Sequence, residues 1–360
     1  MKKFIFVFAI IFSLVAAPAL AATKKTPVPA KPAYKAVLPP GYTAIDWAKA
    51  TGVVSYYKAP TDNGAIDFLT RINLRQNEIN FIIAPDIAPV PDEPTGTEPV
   101  AEITTGGIAS FPNFSFKRIV GEASKAIDPA IKFVWDAPFF NMGAVMSDLS
   151  MAVKYTLNGA TTINSGTRSA ADMALPRRML TVDNKNGKAV ITDFDETIFT
   201  DVSKSDQALE GFSPAVTKSD GPGGPAARLF LGVSDDGQEL AIYCSRSATV
   251  KEASEALTNA GIPPERQLQA DGGGSAACGY NLPGQFFVEP ARTLPMLMGA
   301  KTIMKRSKVT NDTLNVRSGP GTKYSIISKL TKNDPIIVYG ELNGWYRIGD
   351  GRWIIKTMVK

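Results

Sequence analysis

Three consecutive glycines bracketed by an acid and an alcohol, Asp271-Gly272-Gly273-Gly274-Ser275, form the most concentrated chemical feature of the chain. Glycine loses more backbone freedom on ordering than any other residue, so a triplet marks a place that needs unusual torsions or bare backbone. Such a turn can aim successive N–H groups at a phosphate or a developing negative charge. Asp271 would stand at its mouth. The same residues would serve equally as an ordinary tight turn. The 360 residues include no histidine, which excludes Ser-His-Asp and Cys-His machinery, histidine metal sites and histidine phosphotransfer. Acid–base work therefore falls to carboxylates, Arg, Lys, Tyr, Ser, Cys or backbone amides.

A glycine turn of this kind needs elements to hold it. Residues 266–270 read as a short strand directly before it, and 249–260 have amphipathic helical spacing closed by Gly261 and two prolines. Upstream, 228–233 and 239–243 flank Ser234-Asp235-Asp236-Gly237, a hairpin signal. Residues 52–58, 66–74 and 79–83 read as strands. So do 131–135, which run into Asp136-Ala137-Pro138-Phe139-Phe140-Asn141. Residues 116–127 have the apolar spacing of a short helix, and 85–99, with five prolines and four acids, read as an exposed loop. The 30 Gly and 26 Pro favour a β-containing fold over a helical bundle.

Taken in order, hairpin, helix, strand and DGGGS resemble the phosphodiester glycosidase family over most of residues 50–300. Arg228-Leu229-Phe230-Leu231-Gly232 resembles its Arg-x-x-x-Gly strand, and 248–261 its helix before DGGGS. Residues 208–216 resemble its Gly-x-Pro-x-Leu segment, and 134–141 its Asn-Gly-x-x-Phe strand end. The resemblance implies an α+β fold, a mixed β-sheet core with flanking helices, and hydrolysis of a sugar–phosphate glycosidic linkage. On it, Asp271 and Asp136 are the acid and base at the anomeric centre, and Arg228 grips phosphate through its planar guanidinium. Gly272, Gly273, Gly274, Ser275 and Asn141 are the substrate-binding residues. The chain departs from the pattern where Asp136-Ala137 replaces Asn-Gly, putting a carboxylate in place of an amide. That departure opens a second reading, a non-catalytic envelope protein that keeps the fold and binds glycan. No cofactor is required, and a divalent cation is allowed without any ligand spacing that calls for one.

A competing motif lies at 189–197, where Asp193-Phe194-Asp195-Glu196-Thr197 resembles the Asp-x-Asp-x-Thr of haloacid-dehalogenase-type phosphatases. There Asp193 would be the nucleophile and Asp195 the general acid, with Mg²⁺ between carboxylate and phosphate. Residues 242–245 could pose as the second motif of those enzymes. No lysine motif follows at the right interval, which makes this the lesser alternative.

Over 308–360 the chain resembles a bacterial SH3-like domain, through 313–322 (TLNVRSGPGT), Gly344-Trp345-Tyr346 and Arg352-Trp353-Ile354. That resemblance implies a small all-β barrel of a kind that often binds cell-wall peptides, with Tyr324, Trp345, Tyr346 and Trp353 the candidates to line a groove; the alternative is that Trp345 and Trp353 fill the barrel itself. Its tail is basic: residues 301–360 hold twelve Lys and Arg against four Asp and Glu, a net +8, which leaves the rest of the chain at −3. An acidic body with a basic anchor suits anionic wall polymers and peptidoglycan rather than nucleic acid.

At the other end, Lys2 and Lys3, an apolar run over 4–15 and Ala19-Leu20-Ala21 make a signal peptide of residues 1–21. The run is shorter than a membrane span requires, so the mature chain is expected without a transmembrane segment, secreted to the periplasm, wall or exterior. Cys244 and Cys278 then meet an oxidising compartment that allows one disulfide. The sequence leaves open whether they pair. The expected organisation is a leader at 1–21, a Pro/Lys-rich linker at 22–41, a glycosidase-like domain at 42–304 and the SH3-like domain at 305–360.

Overall fold

The computed structural model describes residues 38–59, 65–83, 110–116, 120, 127–141, 146–157, 160–200, 207–217, 225–282 and 285–360. The leader, nearly all of the linker, the proline-rich stretch at 85–99 and most of the helix expected over 116–127 lie outside them. An eleven-stranded sheet runs in the order Tyr42–Ala50, Val53–Lys58, Asp67–Asn73, Glu239–Ala248, Ala226–Val233, Gln267–Gln269, Gln207–Phe212, Arg177–Asp183 and Lys188–Asp193. Val153–Leu157 and Ala160–Asn164 branch from Gln207–Phe212. A second sheet of five strands is ordered Phe286–Val288, Cys278–Tyr280, Ile131–Trp135, Leu297–Thr302 and Asn77–Ile82.

Period-two alternation decides which side chains meet. Leu229, Leu231 and Val233, with Leu240, Ile242 and Cys244, turn toward Phe133, Trp135, Cys278 and Met298 of the second sheet and form the main core. The intervening Phe230 and Tyr243 face the other way, where helix Val250–Asn259 buries Val250, Ala253 and Leu257 against them. Burial of each such large side chain contributes roughly 1.5–3 kcal/mol. The helix starts at Thr249, whose hydroxyl accepts from the Glu252 N–H while the Glu252 carboxylate accepts from the Thr249 N–H, a reciprocal cap. Gly232 is required by the close approach here: a Cβ would lie 2.9 Å from the Ile262 side chain. A Cys244–Cys278 disulfide ties one sheet to the other.

The expected α+β fold with flanking helices is overturned. Among the described residues the α-helices are Val250–Asn259 and the single turn Ala170–Met173, and the sheets are antiparallel rather than mixed. Antiparallel neighbours need only a tight turn between them, whereas parallel ones need a crossover that is usually helical. Gly52, Gly187 and Gly237, all at positive φ, make such turns.

The C-terminal strands Thr313–Arg317, Ile326–Thr331, Gly340–Leu342, Trp345–Gly349 and Arg352–Ile355 form one five-stranded sheet, and Lys305–Lys308 pairs with Pro335–Val338 in a ribbon. They wrap Leu314, Val316, Ile336, Val338, Tyr346 and Ile354 without closing into the expected barrel. This unit is anchored to the second sheet and to the turn that follows Arg177–Asp183 of the large one. The Tyr339 hydroxyl donates to buried Glu78 (2.7 Å), and Arg306 donates to the carbonyls of Asn184 (2.8 Å) and Asn77 (2.9 Å). No helix among the described residues is long and apolar enough to cross a membrane.

Candidate functional site

Strand Gln267–Gln269 hands over from one sheet to the other. The Ala270 N–H still bonds the Leu229 carbonyl (3.0 Å), but the Asp271 N–H turns to the Ala137 carbonyl (3.2 Å), and the Asp136 N–H bonds the Ala277 carbonyl (3.0 Å). These crossings bring Asp136, at the end of Ile131–Trp135, into electrostatic contact with Asp271. The turn itself is a single 3₁₀ element, Gly273–Ser275. Gly273 needs to be glycine because its φ is +59°, and it forms an open tip. A Cβ at Gly272 would meet the Ala227 carbonyl at 2.9 Å. The Gly272 N–H, expected to serve a bound anion, donates instead to Asp271 Oδ1 (2.8 Å), and the Ser275 hydroxyl also donates to the Asp271 carboxylate.

The two acids differ. Asp136 is fully buried, and no hydrogen bond of full geometry reaches either of its oxygens. Burial, then the neighbouring Asp271 charge, push its carboxyl well above the ordinary range, against weaker help from the Ala137 N–H and the Arg292 charge. Its environment therefore favours the protonated form. Asp271 sits at the half-buried rim, where burial raises it to about 7 while Ser275, Gly272 and Arg292 favour its ionised form. Of the two carboxylates expected at the site, Asp271 is half-buried and Asp136 is fully buried.

Arg292 was not singled out from sequence. It is exposed, and its guanidinium packs directly on Gly274, where a Cβ would lie 2.6 Å from Nη2. The neighbouring Ala291 N–H donates to the Gly274 carbonyl (2.8 Å). The absence of a side chain at Gly274 is thus what admits a cation beside Asp271. Arg228, by contrast, is buried (2% exposed) and lies behind Gly272, its Nη1 3.8 Å from where a Cβ would be. It braces the turn and does not reach solvent.

A second ionic group also escaped the sequence reading. Glu210, fully buried, accepts from Arg168 Nε (2.7 Å), Arg177 Nη1 (2.6 Å) and the Ala152 N–H (2.8 Å), and Arg177 lies over the Phe194 ring (4.2 Å). With several donors at one carboxylate it clasps the far strands of the large sheet. Asn141 is exposed and donates to Thr167 Oγ1 (2.6 Å); no contact joins it to the glycine turn. Among the described residues no three His, Cys, Asp or Glu side chains gather as metal ligands.

The phosphatase alternative has no site. Asp193 ends the edge strand Lys188–Asp193 with its side chain 91% exposed, and Asp195 is taken up in capping Glu196–Phe199 through the Thr197 N–H (2.9 Å) and hydroxyl (2.7 Å). In the C-terminal sheet, Tyr346 is interior (4% exposed) with Lys305 over its ring (4.6 Å), so it lines no groove. Trp345 and Trp353 are half-buried and share the opposite face with Arg347. Tyr324 is exposed beside Lys323.

Residues 312–359 match the bacterial SH3 domain family. The SH3 domain therefore occupies the basic C-terminal segment. For the body of the chain, solved structures give remote similarity only. One is the zebrafish N-acetylglucosamine-1-phosphodiester alpha-N-acetylglucosaminidase catalytic domain auto-inhibited by its pro-peptide, at 11% identity, covering 70% of this chain and 84% of that one, with a TM-score of 0.41. Another is a protein of Burkholderia pseudomallei described as exported, at 10% identity, covering 68% and 75%, with a TM-score of 0.36. No curated protein matches the chain by sequence.

Proposed function

We propose that the protein is a secreted hydrolase that cleaves a sugar-1-phosphodiester, or a related cell-envelope glycan linkage, and is held at the wall by its SH3 domain. The observation that carries this reading is the pairing, across one bare glycine turn, of a carboxylate raised to about 7 (Asp271) with an exposed guanidinium (Arg292). Ionised Asp271 takes a proton from water as the water oxygen bonds to the anomeric carbon. The bond from that carbon to the phosphate oxygen breaks, and its electron pair stays on the phosphate, which Arg292 holds through charge-assisted hydrogen bonds. A phosphate leaves readily as an anion, so Asp136 need not touch the sugar; its burial, by favouring the protonated form, limits the negative charge beside Asp271. The leader-like residues 1–21 and the basic SH3 segment support export and attachment to anionic wall material.

The test offers purified protein a glycosyl-1-phosphodiester, the matching O-alkyl glycoside and a phosphate monoester. Release of free sugar and phosphomonoester from the first alone, reduced at least ~10²-fold in Asp271→Asn, is the expected result. Equal turnover by Asp271→Asn would overturn the assignment, and phosphate release from the monoester would point to different chemistry.

A further inference from the structure

On the helix-bearing face of the large sheet, a cavity of about 150 Å³ opens where the chain enters the fold, lined among others by Tyr42, Lys58, Asp67, Ser247, Glu252 and Glu255. None of its lining residues belongs to the glycine turn. Three carboxylates and one lysine line it, and Lys251, outside the lining, lies 3.7 Å from Glu255 Oε1, so the lining itself is net negative. Tyr42 is 8% exposed, and its shielded hydroxyl has no hydrogen-bond partner among the described residues. A buried polar group in that state is costly unless something else pairs with it. The Tyr243 hydroxyl donates to Asp67 Oδ1 (2.9 Å), and the Glu252 carboxylate caps the helix through Oε2, so each of these acids keeps an oxygen to offer. Burial and the Asp67 charge keep Tyr42 protonated.

We propose that this cavity binds a primary ammonium group. An ammonium has three N–H donors and no acceptor, and the cavity presents the Asp67 carboxylate, the Tyr42 oxygen and the Glu255 carboxylate. A divalent metal fits less well, since no metal-ligand cluster forms among the described residues. The volume falls below the roughly 300–1,000 Å³ of sites for drug-sized ligands, so a short alkylammonium fills it and a sugar does not. Two sources carry this chemistry. The chain has Lys31 and Lys35 a few residues before Pro39 and Pro40, which also line the cavity. An amine of a wall peptide or a free alkylamine is the other.

Calorimetric titration with n-butylammonium, against n-butanol, on the full chain and on Lys31→Gln/Lys35→Gln tests the proposal without reference to hydrolysis. Saturable binding of butylammonium but not butanol is expected. Binding in the wild type places the ammonium on an external ligand, and binding only in Lys31→Gln/Lys35→Gln places it on the chain's own lysine. In whichever protein binds, Glu255→Gln, on the exposed side of the helix, and Tyr42→Phe should each weaken it at least five-fold. No binding in either protein, equal binding of butanol, or an affinity that both substitutions leave unchanged would overturn it.

Discussion

A carboxylic acid held neutral by burial offers one hydroxyl donor and one carbonyl acceptor, close in shape to the amide of asparagine. At Asp136 the sequence suggested an added charge where the glycosidase pattern has Asn; full burial disfavours that charge. Asp136→Asn is therefore expected to keep turnover within a few-fold of wild type. It should also change the pH dependence of stability. A carboxyl raised above its unfolded value binds more protons when folded, so stability is greatest at low pH and declines as pH rises from the ordinary carboxylate range toward the folded value. Thermal melts of the wild type should fall as pH rises above the ordinary carboxylate range, and those of Asp136→Asn should fall less. Identical slopes would place Asp136 in a more polar setting than described. Gly274→Ala probes the other side of the turn. Its Cβ meets the tip of a flexible Arg292 side chain rather than backbone, so it should displace the guanidinium and lower kcat/KM about ten-fold with little change in Tm.

Strands, hairpins and the helix Val250–Asn259 are local events, and most were legible. Turn residues such as Ser234-Asp235-Asp236-Gly237, and the Gly261 and two prolines that close the helix, announce themselves within a few positions. The surrounding fold class was not legible, because short apolar runs do not say whether the next strand lies parallel or antiparallel. Arg292 and the Glu210 clasp were missed for a related reason. Arg292 lies in an exposed loop with no periodicity, and Glu210 sits singly in an apolar strand whose arginine partners come from elsewhere in the chain. The Cys244–Cys278 bond joins the strand beside Arg228's partner Ser245 to the strand that pairs with Trp135, next to Asp136. Replacing both cysteines by alanine should cost about 2–4 kcal/mol in urea unfolding. A cost near zero would mean that packing alone fixes the two sheets.

At the scale of the molecule, the SH3 domain is held by specific contacts rather than by chain connectivity alone. Tyr339 on Glu78, Lys301 over the Tyr339 ring (4.8 Å) and Arg306 on two carbonyls join it to the body. Calorimetry should accordingly show one cooperative transition for the wild type, separating into two for Tyr339→Phe/Arg306→Ala; two transitions in the wild type would show independent units. The central claim, that ionised Asp271 acts as base beside Arg292, is tested most directly by kcat/KM against pH on a glycosyl-1-phosphodiester. The account predicts a rate that rises through a midpoint near Asp271's value of about 7, a limb preserved in Asp136→Asn and no measurable turnover in Asp271→Asn. A flat profile, or an Asp271→Asn enzyme with the same rising limb, would contradict it.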